Sequence, residues 1–297
     1  MKWFQVKEQS AGRKRLVLTW YLYKIFGKNI LYVIAFLMSV FTYIFSLCIR
    51  KSSKNYLSTV QDYTGLKPSA WNVFRHILAY ADSLADKILV FCGDFGTDNL
   101  LFESEEKKKQ MFDDINKGEG CLFICNHIGN IEVLQSFFFN EITNPDFSIN
   151  IFLSKNHSQI FNGFLNDIKK EIPVNIYPVE DLGPDTGIEL KESLDKGGVV
   201  FIAGDRLARD NDDKSIEALL FGHQIHLPLG VYKLAKLMKV PTYFISALRN
   251  KGGKYKIYLE KQDNLTEEII VKNYVDFLQK MTLLSPFQFF HFYDFFR

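Results

Sequence analysis

From residue 69 to residue 92, apolar side chains recur every three to four positions at Val73, Ile77, Ala81, Leu84, Ile88 and Phe91, which is the period of an amphipathic helix. Residues 107–116 predict a short polar helix closed by Lys117-Gly118-Glu119-Gly120. The pattern then changes. Short apolar runs at Cys121–Cys125, Ile149–Leu153, Val174–Pro178, Val199–Ala203, 242–248 and 255–259 predict strands. Segments 131–140, 159–170, 185–196 and Leu229–Met238 between them predict helices. The last two strands pair as a hairpin across Asn250-Lys251-Gly252-Gly253. Strands alternating with helices predict an α/β fold with a mostly parallel sheet flanked by helices on both faces.

The beginning of the chain reads differently. Lys2, Lys7, Arg13, Lys14, Arg15, Lys24 and Lys28 face only Glu8 in opposite charge, and residues 30–49 carry no charge over about the length that crosses a bilayer. Residues 16–26 form a second apolar stretch, separated by Gly27-Lys28-Asn29, and no small-residue cleavage site follows. A single span, a hairpin or in-plane helix pair, and a buried core helix all fit this pattern. Arg50, Lys51 and Lys54 favour the hairpin or in-plane form, with both ends on the cytoplasmic side. The expected organisation is therefore residues 1–60 as basic, apolar, membrane-associating helices and residues 61–297 as the α/β domain.

Composition narrows the function. With 47% hydrophobic and 24% charged residues the chain is neither disordered nor collagenous nor coiled coil. Its 28 Phe and 14 Tyr demand either a very rich core or apolar surface kept for lipid or an acyl chain. A net charge of +2 without a basic stripe or recognition motif gives no ground for nucleic-acid binding. Cys48, Cys92, Cys121 and Cys125 are too few and scattered for a disulfide framework, and no zinc-type spacing accompanies them. No metal or cofactor is implied.

In an open α/β sheet, chemistry lies beyond the carboxyl ends of the strands. Directly after Cys125 stands Asn126-His127-Ile128-Gly129-Asn130-Ile131-Glu132. On a regular helix His127 and Glu132 would not share a face. If His127 precedes the first turn and Gly129 takes an unusual backbone angle, the ring can fold back onto the Glu132 carboxylate. A carboxylate on one ring nitrogen fixes the tautomer and makes the other a general base. A capping or surface role for the pair is the alternative. Gly204-Asp205-Arg206 follows another strand, where a carboxylate and a guanidinium either serve the site or form a surface salt bridge. Phe221-Gly222 and Leu227-Pro228-Leu229-Gly230 read as a loop leading into a helix, with backbone able to approach a substrate, or as simple helix entry.

Taken together, these blocks resemble the bacterial lipid A biosynthesis lauroyl and myristoyl acyltransferases, within the lysophospholipid acyltransferase superfamily, from about Trp71 to Phe296. His127 to Glu132 is similar to the superfamily's H-x4-[DE] motif, whose His is the general base and whose acid orients it. Phe221-Gly222 with Leu227-Pro228-Leu229-Gly230 is similar to the family's F-x-G and [LF]-P-x-G segment. Ser285 to Phe296 resembles its aromatic tail, with Phe289 and Phe296 where tryptophans are usual. The resemblance implies a glycerolipid acyltransferase-like fold at the cytoplasmic face of the bacterial inner membrane. It implies His127 and Glu132 as the catalytic pair, and Asn130, Asp205, Arg206, Gly222, Pro228 and Gly230 as substrate-binding residues. It also implies transfer of a fatty acyl group from an acyl carrier protein or CoA thioester to a lipid-like hydroxyl or amine. A non-catalytic lipid-binding scaffold and a thioester or lipid hydrolase are the rival expectations.

Overall fold

The computed structural model describes residues 13–134, 138, 147–154, 159, 163, 174–179, 183–207, 214–263 and 266–296. Three N-terminal helices, α1 (Arg13–Phe26), α2 (Asn29–Phe45) and α3 (Leu47–Thr64), lead into the long α4 (Ala70–Cys92). Ser69 starts α4 as the sequence pattern predicts, its hydroxyl accepting the Asn72 N–H at 3.2 Å. After the short strand β1 (Leu100–Phe102) and α5 (Glu105–Asp114) come β2 (Cys121–Cys125), β3 (Ile149–Leu153), β4 (Val174–Pro178), α6 (Pro184–Asp195) and β5 (Val199–Ala203). A hairpin of β6 (Ser215–Leu220) and β7 (His223–Pro228), then α7 (Leu229–Met238), β8 (Thr242–Arg249), β9 (Tyr255–Gln262) and α8 (Glu267–Leu284) follow. Of the helix expected over 131–140, residues 131–134 and 138 are described, with 133, 134 and 138 helical; the helix expected over 159–170 lies outside the described residues apart from 159 and 163, both helical.

The protein has an α/β fold built on a seven-stranded, mostly parallel sheet of order β1-β9-β8-β2-β5-β3-β4. Strands β8, β2, β5, β3 and β4 run parallel; β9 is antiparallel to β8, across the expected hairpin, and β1 follows β9. Central strands β2 and β5 are almost wholly buried, so helices must cover both faces. Alternation sorts the side chains. Leu122, Ile124, Val200, Ile202 and Phe244 join a core with α3, α6, α7 and α8. Cys121, Phe123, Val199, Phe201 and Tyr243 join another with α1, α2, α4 and α5.

One expectation changes, and the N-terminal region gains detail. The loop expected around Phe221-Gly222 is the β6–β7 hairpin, because Ile216, Ala218, Ile225 and Leu227 alternate inward and Phe221 (φ 53°) with Gly222 (φ 75°) forms a two-residue turn needing positive φ at both positions. A boundary at residue 60 falls inside α3, whose Tyr56, Leu57 and Val60 are buried in the main core. The uncharged run 30–49 is not one helix: it breaks at Ser46, where α2 and α3 meet at 93°. Among the described residues no single helix is long and apolar enough to cross a membrane, and only the bent pair reaches that length and composition.

The aromatic excess divides between two places. Tyr232, Tyr243, Tyr255, Tyr274, Phe123 and Phe244 are among the largest fully buried side chains, whereas Tyr21, Phe26, Phe36, Phe41 and Phe45 stand exposed on α1 and α2.

Candidate active site

Strands β2 and β5 are neighbours in register, with Cys125 opposite Ala203. Their exits are therefore level, and two residues beyond each lie His127 and Asp205. Asp205 Oδ1 pairs with His127 Nδ1 at 2.7 Å, and Asp205 Oδ2 accepts the backbone N–H of His127 at 2.7 Å. A third partner comes from the C-terminal tail: His291 Nε2 lies 2.8 Å from Asp205 Oδ2. His291 Nδ1 meets the Tyr293 hydroxyl at 2.8 Å.

Electrostatics assign the protons. Burial pushes His291 down to about 4, against the pull of Asp205, so its ring is neutral at pH 7. Burial alone would raise Asp205, but His127 and His291 hold it well below the usual carboxylate range. An ionised Asp205 only accepts, so each imidazole presents N–H to it. Tyr293 then donates to His291 Nδ1, and among the described residues nothing hydrogen-bonds to His127 Nε2. The His127 side chain is 32% exposed while Asp205 and His291 are fully buried, so His127 alone of the three opens to solvent.

The carboxylate on the His127 ring is thus Asp205 rather than Glu132. Glu132 instead forms a close ion pair with Lys87 of α4. Burial opposes its ionisation, yet the Lys87 ammonium holds it below the usual carboxylate range, with His127 as a lesser influence at longer reach. The backbone explains why. His127 to Asn130 extends the strand edge instead of opening a helix: Ile128 bridges Phe289, Gly129 bridges Ala247, and Asn130 N–H bonds to the Ala247 carbonyl at 2.9 Å. Gly129 sits at φ 79°, the unusual angle expected of it, and a Cβ there would run into the Ala247 carbonyl.

The tail crosses directly over these strand ends. Gly129 N–H donates to the Gln288 carbonyl at 2.9 Å and Phe290 N–H to the His127 carbonyl at 3.0 Å. The Gln288 side chain grips both backbone groups of Arg249 at the end of β8. Phe289 stacks on Tyr56 of α3 with ring centroids 4.6 Å apart, and its carbonyl meets His76 Nε2 at 2.7 Å. Arg206 donates to the Phe290 carbonyl at 3.3 Å, its guanidinium 5.8 Å from the Tyr293 ring centre.

Of the residues expected at the site, His127, Asp205 and Arg206 come together. Asn130 is buried and donates to the Ser83 carbonyl and toward the Tyr255 hydroxyl. Gly222 lies at the β6–β7 turn, Pro228 ends β7 and caps α7, and Gly230 is in the first turn of α7. Around both glycines the space is open. Sequence reasoning missed His291 and Tyr293, although a histidine between aromatics in a buried tail was a visible signal. The ligand-type atoms of His127, Asp205 and His291 lie within 4.8 Å of one another, so this trio is also where a metal ion would find ligands. Comparison with protein-family models and with curated protein sequences finds no match.

Proposed function

We propose that the protein is a membrane-associated acyltransferase that moves a fatty acyl group from an acyl carrier protein or CoA thioester to a lipid-like hydroxyl or amine. The observation that carries this reading is the His127–Asp205 pair, with Nδ1 fixed on a buried carboxylate and Nε2 without a hydrogen-bond partner among the described residues, on a partly exposed ring at the strand ends. In the proposed step the acceptor oxygen or nitrogen attacks the thioester carbonyl while His127 Nε2 takes its proton. The tetrahedral intermediate then expels the thiolate, which the imidazolium protonates. Asp205 takes the orienting role that the motif alone would give Glu132, and Glu132 with Lys87 bounds the same region. Direct attack by the acceptor fits better than a cysteine-bound intermediate, since burial first, then Asp205 and Glu132, push the neighbouring Cys125 thiol far up.

Placement at the cytoplasmic face of the inner membrane draws support from α1 and α2. Ile25, Phe26, Leu37, Phe41 and Phe45 are exposed there, beside exposed Lys14, Arg15, Lys24, Lys28, Lys51 and Lys54. Apolar side chains rimmed by cations suit an anionic bilayer on which the helices lie. Incubation with a radiolabelled acyl thioester, carried on acyl carrier protein or on CoA, with and without bacterial lipids, tests the function. Labelled acyl lipid that requires both substrates supports transfer. Free fatty acid formed without acceptor identifies a hydrolase, and bound but unreacted thioester a binding protein.

A further inference from the structure

Asp205 is held by more than the histidine it serves. The hydrogen bonds run Tyr293 hydroxyl to His291 Nδ1, His291 Nε2 to Asp205 Oδ2, and His127 Nδ1 to Asp205 Oδ1, at 2.8, 2.8 and 2.7 Å. We infer that His291, delivered by the aromatic tail, is a positioning residue that locks the Asp205 carboxylate and thereby fixes His127 as the Nδ1–H tautomer with Nε2 free. The inference deepens the acyltransferase reading and rests on it for its kinetic consequence.

Three features support the assignment. His291 is almost fully buried and both its nitrogens are engaged, one by a donor and one by an acceptor, so its tautomer is determined by its neighbours. The carboxylate would otherwise rotate about its terminal torsion, which is soft. With Oδ2 held by both the His127 N–H and His291, Oδ1 stays aimed at the His127 ring. The tail that carries His291 is also tied to the same short segment, through Gly129 and His127 backbone bonds, so base and support move as one body. Direct nitrogen-to-oxygen contacts of hydrogen-bond length, and three donors around one carboxylate, favour this relay over a shared metal ion.

Two substitutions separate positioning from packing. His291→Phe keeps a ring in place and removes the donor; His291→Gln keeps an N–H at similar reach and removes the ring. The ¹⁵N shifts of labelled histidines, assigned by single variants, report the His127 tautomer without any substrate. In the wild type, His127 should show a protonated Nδ1 and an unprotonated Nε2. His291→Phe should mix the tautomers and lower kcat by about tenfold or more with KM little changed, short of the roughly 10⁴-fold loss that a wholly wrong tautomer causes. His291→Gln should restore the wild-type tautomer and most of kcat, and Tyr293→Phe should have a smaller effect than His291→Phe. Wild-type shifts and kcat in folded His291→Phe would overturn the inference. So would joint movement of the His127 and His291 shifts on adding zinc with a gain in rate, which would make the trio a metal site. If no acyl transfer occurs in the wild type, the acyltransferase reading fails while the tautomer measurement still decides the positioning role.

Discussion

Asp86 and Asp205 are both fully buried carboxylates, and they are surrounded in opposite ways. Asp86 of α4 accepts from Tyr32 at 2.5 Å and Tyr255 at 2.6 Å, with Arg249 Nε at 2.8 Å in an ion-pair contact not aligned as a hydrogen bond. Its countercharge is permanent, and its partners tie α2, α4, β8 and β9 together. Asp205 has no arginine as hydrogen-bond partner among the described residues; it faces two imidazoles and a backbone N–H. A buried charge opposite guanidinium is a fixed joint. A buried charge opposite an imidazole that reaches solvent can respond to a proton, and that difference separates structure from chemistry here.

Exchanging the charges should show this most clearly. Asp205→Asn should lower acyl transfer per folded molecule by about 10³–10⁴-fold, because the amide would reverse the hydrogen bonding that sets the His127 tautomer. Asp86→Asn should leave the rate per folded molecule near normal but cost about 3 kcal/mol in urea unfolding, since Arg249 loses its main buried partner. Combining His127→Ala with Asp205→Asn should resemble His127→Ala alone, as expected of groups acting as a unit. Loss of rate without loss of stability in the Asp86 variant would erase the distinction.

Acid should sharpen the contrast at the next level. His291 and His76 are pushed down to about 4 from an ordinary 6.5, in each case chiefly by burial. The unfolded chain then takes up these protons first, so stability is full above about 6.5 and falls as pH drops toward 4, by up to roughly 1.4 kcal/mol per pH unit for each histidine. Asp205, lowered from its ordinary 3.8, adds its own loss only below that range. His291→Gln should flatten part of the limb between pH 6.5 and 4 in denaturation curves, and His76→Gln the other part.

A smaller effect is expected at the surface. Phe41→Glu with Phe45→Glu should reduce flotation with phosphatidylglycerol vesicles several-fold without changing stability, because both rings are already exposed. The smallest belongs to Gly230→Ala, where a Cβ meets open space. Its stability should shift by less than about 1 kcal/mol, and a fall in transfer rate would mark Gly230 as a substrate contact.

The parallel strands were legible because a strand buried on both faces is a short apolar run with turn residues at its ends. Cys121–Cys125 and Val199–Ala203 appear with the bounds their sequences predict. His127 was legible for the same reason, as a histidine just past such a run. Its carboxylate partner was not. Glu132 is close in sequence, but Asp205 is level with His127 only through the register of β2 on β5, and register between distant segments leaves no mark in local pattern. Lys87, on the amphipathic helix read correctly as α4, claims Glu132 by a contact no spacing announces. The β6–β7 hairpin was hidden by its short alternating strands and by Phe221 at a positive φ that glycine or asparagine would normally signal.

The crossing of the tail over the strand ends has a kinetic meaning as well. The contacts that hold His127 in place span 78 residues to Asp205, and those of Asp205 span 86 to His291, while the His76–Phe289 bond beneath them spans 213. Loop closure on that scale precedes any reward, whereas the backbone hydrogen bonds within helices α1 to α4 are local. During refolding from denaturant, helical circular dichroism should return well before acyl transfer does, so catalytic recovery would time the final locking of the whole chain.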